Sequence, residues 1–348
     1  MENNDYFYAL SSNKNIKIII YNQVNILIPW NGLGRMHDKY VIADDSLYIL
    51  GGRNTFGYFL GDYAGHKNYD RDVLVYNTGS KASSIYQIKD YYKKITSQKC
   101  CSVFHCNESL GEKNSVKKAE QELKNRYESL ENKYDKFLAE NYDYKANTYE
   151  TNKINLLSNP TSLYAKQPTV YYGLMYLAKN AKKEVKIHTP YIICNDYMYN
   201  ELKNIKVPTT IMTNSAENNG NIFGAVDYLN HKKDIINTGV TIKEYEGGIS
   251  YHGKSMTIDD DIAIVGSFNM DMRSAYIDTE LMLVINSKDI NKQLKASMEE
   301  YEKKAATVKN ETEYSHIPEG MKMKELSDKK KNIKAWFGWA MNGLRFLF

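Results

Sequence analysis

Short apolar runs and helix-period segments follow one another along this chain in two blocks, with a polar stretch between them. Asp5–Ser12 carries a helical pattern and runs into NIKIIIYN at Asn15–Asn22, whose apolar centre predicts a buried strand. Tyr40–Ile42, Ser46–Leu50 and Arg71–Tyr76 predict further strands. From about Ser84 to Asn159 the chain turns polar, Lys/Glu-rich and helix-prone. Within that stretch Leu123, Tyr127, Leu130, Tyr134 and Phe137 recur at alternating steps of four and three, the spacing of a coiled-coil or helical-hairpin seam. A solvated helical pair linking two halves is the plain reading, and a partner-binding seam the alternative.

The α/β pattern resumes at Thr169. A helix over Thr169–Ala181 leads into VKIHTPYI at Val185–Ile192, and a helix over Tyr197–Asn204 precedes the strand Thr209–Thr213. A further helix through His231 leads to the strand Val240–Tyr245, followed by Gly247-Gly248. This alternation predicts an α/β fold with a mixed, mostly parallel sheet flanked by helices.

Composition narrows the class only modestly. The 348 residues are 42% hydrophobic and 25% charged, which excludes disorder throughout. A net charge of +4 is too small to indicate a nucleic-acid binder. The 30 tyrosines, and 40 lysines against 6 arginines, are the bias that an AT-rich genome produces. No run of 18 apolar residues occurs, and the acidic start Met1-Glu2-Asn3-Asn4-Asp5 does not read as a signal peptide. Cys100, Cys101, Cys106 and Cys194 are too few for a disulfide framework, and the Cys100–Cys106 cluster with His105 lacks zinc-site spacing.

The chemistry lies in an internal repeat. Met36–Asn54, MHDKYVIADDSLYILGGRN, aligns without a gap on Tyr251–Asn269, YHGKSMTIDDDIAIVGSFN, at an offset of 252 − 37 = 215. Each copy holds a histidine (His37, His252), a lysine two on (Lys39, Lys254) and an aspartate seven on (Asp44, Asp259). Glycine follows at fourteen (Gly51, Gly266), a small residue at fifteen (Gly52, Ser267) and asparagine at seventeen (Asn54, Asn269). Chance supplies roughly 0.05 copies of H-x-K-x4-D in such a composition, so two surface histidines on unrelated strands do not explain the pair. On one strand His and Lys share a face, the aspartate opens a hairpin turn, and the returning strand delivers the asparagine beside them. Two facing copies offer a nucleophile, a general acid and two cations for non-bridging phosphate oxygens.

Each imidazole needs a carboxylate on its other nitrogen. Glu280, 28 residues after His252, and Asp72, 35 after His37, stand in parallel places and are the candidates. Arg35, Arg53, Arg71 and Arg273 all lie next to the motifs, as forks for substrate phosphate or as structural partners of Asp70, Asp72 or Asp271.

The duplicated H-x-K-x4-D with G-G/S-x-N downstream resembles the phospholipase D superfamily. GGRN, NYDRDVLV, TPYI, TNS (Thr213–Ser215) and GSFNMDMRSAYIDTE resemble its bacterial cardiolipin-synthase-like branch, over nearly the whole chain. The resemblance implies two pseudo-repeated phospholipase D-like halves, and a two-step reaction without metal or cofactor through a covalent phosphohistidine. By the same resemblance His37 is the nucleophile, His252 the acid/base, and Asp44 and Asp259 are structural. The branch commonly has asparagine where this chain has Asp278, which puts the hydrogen bonding beside Glu280 in doubt. The expected divisions are 1–83 for the first half, 84–165 for the helical insertion, 166–328 for the second half and 329–348 for a terminal amphipathic helix.

The superfamily includes phospholipases, lipid synthases and nucleases, so the motifs leave the substrate class open. Ile333, Trp336, Phe337, Ala340, Met341, Leu344 and Phe348 share a helical face behind Lys329-Lys330-Lys331, which suits an anionic membrane interface or a helix docked on the domain. His66 and Asn68 sit in a loop that either touches a headgroup or is plain surface. The resulting expectation is a phosphatidyltransferase, peripheral on the cytoplasmic face of a bacterial membrane, making cardiolipin or a related lipid from phosphatidylglycerol. A hydrolase, a nucleic-acid phosphodiesterase and a catalytically impaired membrane protein are the alternatives, and the modest charge disfavours nucleic acid. Oligomeric state stays open. Only 36 residues precede His37, whereas about 84 separate Thr169 from His252, so the first half is expected to be incomplete at its N-terminus and without an N-terminal anchor.

Overall fold

The computed structural model describes residues 4–24, 27, 32–60, 67–104, 108–134, 142–337 and 343–347. They form two compact units. Met1–Gly32 and Tyr92–Thr148 make up one, and Leu33–Tyr91 with Tyr149–Phe348 the other. Both motif copies therefore belong to the second unit.

In the first unit the helix Asn4–Ser12 packs on the helix Asn114–Lys133 through Ala9, Val116 and Ala119, with Leu123 against them. The strand Ile18–Tyr21 forms, but it is half-buried and pairs antiparallel with Cys101–Phe104, so it belongs with the helical insertion and not with the first motif's sheet. The seam is only partly used. Leu123 is half-buried, whereas Tyr127 and Leu130 are exposed, the outcome expected of a solvated helix face. Phe137, His105 and Cys106 lie outside the described residues.

The second unit is built on a nine-stranded mixed sheet. Its order is Tyr314–His316, Ala305–Val308, Thr241–Tyr245, Thr209–Asn214, Val185–His188, Ser255–Ile258, Ile262–Gly266, Leu281–Asn286 and Lys153–Ser158. Helices flank it, as an α/β pattern requires. The mostly parallel pairing expected from strand–helix alternation is confined to Thr209–Asn214 with its two neighbours. The remaining pairs are antiparallel, because the motif hairpin inserts Ser255–Ile258 and Ile262–Gly266 side by side and later strands return without a crossover. Lys153–Ser158, placed by composition in the insertion, is the edge strand beside Leu281–Asn286.

The first motif makes a separate three-stranded antiparallel sheet of Tyr40–Ala43, Leu47–Gly51 and Asp72–Tyr76. Tyr48 and Leu50 are fully buried on one face. In both hairpins the motif aspartate takes a left-handed backbone, Asp44 at φ 48° and Asp259 at φ 50°, a conformation that Asp tolerates better than most residues. Asp259 goes further, its carboxylate accepting the amides of Lys182, Lys183 and Glu184 at 2.7–3.2 Å. Asp259 thus serves both the turn and the backbone beside it, and Asp44 the turn.

At the C-terminus a helix covers Asp328–Phe337. Ala340, Met341 and Phe348 lie outside the described residues, as does the Phe337 side chain. Lys330, expected to face an anionic surface, is buried and donates to the carbonyls of Ala216, Glu217 and Asn219. Arg345 grips Asp227 at 2.7 and 3.1 Å. The segment is docked on the domain, with Trp336 left 83% exposed. Among the described residues no helix is long and apolar enough to cross a membrane.

Candidate active site

Both strands of the motif begin after the lysine, at Tyr40 and Ser255, so His and Lys are not placed together by a shared strand face. Each lysine instead folds back on its own histidine's carbonyl. Lys39 Nζ donates to His37 O at 2.5 Å and Lys254 Nζ to His252 O at 2.5 Å. Burial lowers both ammonium groups to about 8.

The carboxylates cross between the halves. His37 Nδ1 lies 2.8 Å from Glu280 Oε1, and His252 Nδ1 lies 2.6 Å from Asp70 Oδ2. One backbone device produces both contacts. Met36, before His37, bridges in parallel to Thr279, before Glu280. Tyr251, before His252, pairs in parallel with Tyr69, before Asp70. The expected pairing of Glu280 with the nearer His252, and of Asp72 with His37, is therefore not what the structure holds. Asp72 is taken by Arg53, whose Nε donates to Oδ2 at 2.6 Å. Asp70 was missed because no signal in the sequence says which half an acid will serve.

The small residues at position fifteen serve these acids. A Cβ on Gly52 would lie 2.4 Å from Asp70 Oδ1 and 3.0 Å from Lys254 Cδ, so only glycine admits both. Ser267, its counterpart, donates to Glu280 Oε2 at 2.5 Å. Asn269 Nδ2 donates to Tyr191 Oη at 3.1 Å, and its buried Oδ1 has no partner among the described residues. Asn54 is half-buried after the other return strand.

The side chains of Arg53, Arg71 and Arg273 engage protein. Arg53 also donates to the carbonyls of Phe59 at 2.8 Å and Asp70 at 3.0 Å. Arg273 binds Asp278 and Leu33 O, each at 2.8 Å. Arg35 is pinned by its backbone, with its amide on Asp278 Oδ1 at 3.0 Å and its carbonyl accepting from Thr279. Arg71 reaches Tyr251, Ser255 and Ser297. The Arg53–Asp72 pair is the structural alternative that the sequence offered, and the guanidinium groups of Arg71 and Arg273 also engage protein. Asp278, flagged as a departure from the resembled pattern, is used by Arg35 and Arg273. His66 lies outside the described residues, and Asn68 pairs with Ser250.

The two half-sites differ electrostatically. Burial pushes Glu280 up to about 8 and His37 well below its usual value, so burial disfavours the charged form of both partners. Burial alone would raise Asp70, but Lys254 and the His252 hydrogen bond outweigh it and hold the carboxylate below its usual range. Burial, then Lys254, lowers His252 to about 3, and His37 adds to the same depression. Lys254 likewise depresses His37, so each half's charge is felt at the other's imidazole. Both rings remain partly solvent-exposed, which leaves them open to a substrate.

The family model described as "Cardiolipin synthase, PLD-like domain" matches residues 174–301. Over that span the chain carries a phospholipase D-like domain. Among curated relatives, cardiolipin synthase 1 of Staphylococcus epidermidis (strain ATCC 12228 / FDA PCI 1200) is 30% identical over 159 residues, covering 45% of this chain and 32% of the relative. An uncharacterized protein of Helicobacter pylori (strain ATCC 700392 / 26695) is 25% identical over 296 residues, covering 77% of this chain and 57% of its own length. The chain thus spans little more than half the length of that relative. Phosphatidylserine synthase of Haemophilus influenzae Rd KW20 superposes with a TM-score of 0.60 at 15% identity, covering 91% of this chain and 72% of that one, and shares the fold.

Proposed function

We propose that the protein is a phosphatidyltransferase that moves a phosphatidyl group from phosphatidylglycerol to an alcohol, making cardiolipin when the alcohol is a second phosphatidylglycerol. The observation that carries the reading is a pair of imidazoles at one site, each backed by a carboxyl group from the opposite half. The cardiolipin-synthase relatives support the lipid substrate.

In the first step His37 Nε2 attacks phosphorus, a P–N bond forms and the P–O bond to glycerol breaks. His252 gives its proton to the departing alkoxide, so glycerol leaves neutral. In the second step His252 takes the proton of the incoming hydroxyl, whose oxygen attacks phosphorus and expels His37. Asp70, ionised, together with the bound anionic phosphodiester favours the imidazolium that His252 must be before the first step and becomes again in the second. Lys39 and Lys254 supply positive charge for the non-bridging oxygens. The enzyme works peripherally on a membrane, with the exposed Trp336 of the docked C-terminal helix as an interfacial contact.

Incubation with labelled phosphatidylglycerol in vesicles tests the reading. Labelled cardiolipin is the expected product. Phosphatidic acid alone would make the protein a hydrolase, and neither product would overturn the lipid reading.

A further inference from the structure

Arg71 has no part in the chemistry above, yet its side chain crosses from the first half to the segment that carries His252. Nη1 donates to Tyr251 Oη at 2.9 Å and to Ser255 Oγ at 2.5 Å, and Nη2 donates to Ser297 Oγ at 3.0 Å in the helix Lys288–Glu302. Tyr251 and Ser255 are the residues that flank His252-Gly253-Lys254. The guanidinium carbon also stands 6.0 Å from the centre of the Tyr301 ring. Tyr301 packs edge-on against Tyr69, Tyr245 and Tyr251, with centroids 4.8–5.9 Å apart. Behind Tyr251, buried His188 holds the same hydroxyl at 3.2 Å and leans on Glu302 at 3.3 Å. The Tyr251 ring is therefore fixed from two sides.

The backbone of Arg71 acts on the other partner. Its amide donates to Asp70 Oδ1 at 2.8 Å, leaving Oδ2 for His252 Nδ1. The amide of His252 in turn donates to Tyr69 O at 2.6 Å. One residue thus holds the carboxylate through its main chain and the segment bearing the imidazole through its side chain.

We infer that Arg71 is a positioning residue for His252, a planar clamp that sets the distance and angle between the imidazole and Asp70. A fork is needed because one nitrogen must reach both flanks of the motif while the other reaches the helix behind it. The single ammonium of lysine cannot span those acceptors. This role replaces a direct grip on substrate phosphate, and it rests on the phosphatidyltransfer reading with His252 as proton donor.

The test compares Arg71→Met and Arg71→Lys with the unaltered protein on two lipids that share their acyl chains. One is phosphatidylglycerol, whose leaving glycerol needs a proton, and the other is the p-nitrophenyl ester of phosphatidic acid, whose leaving group does not. A loosened acid predicts that kcat on phosphatidylglycerol falls about 10²-fold or more at nearly unchanged KM. The pre-steady-state burst of p-nitrophenolate should fall less than about tenfold, since that step does not use the acid. Arg71→Lys should resemble Arg71→Met. A raised KM at unchanged kcat, or equal losses on the two esters, would overturn the inference.

A second readout needs no turnover. In protein labelled with ¹⁵N-histidine, the Nδ1 proton of His252, assigned with His252→Gln, should resonate far downfield and resist exchange. It should broaden away in Arg71→Met while the thermal transition stays cooperative. If it persists unchanged, the clamp is wrong whatever the lipid assay gives. If the unaltered protein turns over neither lipid, the phosphatidyltransfer reading fails and the resonance still decides the role of Arg71.

Discussion

Val41 and Met256 occupy the same place in the two copies of the motif, yet Val41 is 64% exposed and Met256 2%. Across the hairpin, Ile49 is 36% exposed and its counterpart Ile264 fully buried. Met256 and Ile264 sit in a core with Val170, Leu174 and Met175 of the helix Thr169–Lys179, whereas the first copy's sheet has one buried face, that of Tyr48 and Leu50. The same local sequence therefore builds the same hairpin in a deep core and in a thin layer. What steadies the first copy at the site is its exchange with the second: Glu280 and Thr279 reach His37, while Asp70 and Arg71 reach the His252 segment. The half with little core of its own is held by polar contacts across the repeat.

The largest effect expected from breaking this comparison is catalytic. His37→Ala and His252→Ala should each lower lipid transfer by about 10⁴-fold or more, read as labelled cardiolipin formed per enzyme. The two should part on the p-nitrophenyl ester, where His252→Ala keeps a burst and His37→Ala has none. Equal behaviour on both substrates would erase the proposed division of labour between the copies.

Stability should separate the copies next. Met256→Ala removes buried volume and should cost about 2–5 kcal/mol in denaturant unfolding, while Val41→Ala should stay within about 0.5 kcal/mol. Similar losses at the two positions would mean that the first sheet is as enclosed as the second.

A smaller effect concerns pH. Glu280 and Asp38 are raised by burial, to about 8 and about 7, so the folded state keeps protons that the unfolded chain releases near the ordinary carboxylate range. Stability from these groups is complete below that range and is lost as the pH climbs through about 7 to 8. Glu280→Gln cannot ionise, so its melting temperature should fall less between pH 5 and 8 than that of the unaltered protein. Parallel curves would show that Glu280 is ionised throughout.

The hairpins, with an aspartate opening each turn, and the helices of the second block were legible because turn residues and apolar periods are local signals. The repeat also located His37, Lys39, His252 and Lys254 together. The crossing of the acids was not legible, since Asp70 and Asp72 lie two residues apart and only the parallel pairing of Tyr69 with Tyr251 selects between them. The arginines misled for a related reason. Their nearness to the motifs was real, but nearby carboxylates, Asp72 for Arg53 and Asp278 for Arg273, hold two of them, and backbone carbonyls such as that of Leu33 add to the grip. Strand direction went astray in the same way, because alternation along the chain does not say that a hairpin will be inserted between the parallel strands and their edge.

The exchange of carboxyl groups between the halves is tested most directly by measuring kcat for phosphatidyl transfer in Asp70→Asn beside Asp72→Asn. The account predicts a loss of about 10²–10⁴-fold for Asp70→Asn, which leaves His252 without its carboxylate, and less than about tenfold for Asp72→Asn, which only loosens Arg53. The reverse order, or equal losses, would contradict it.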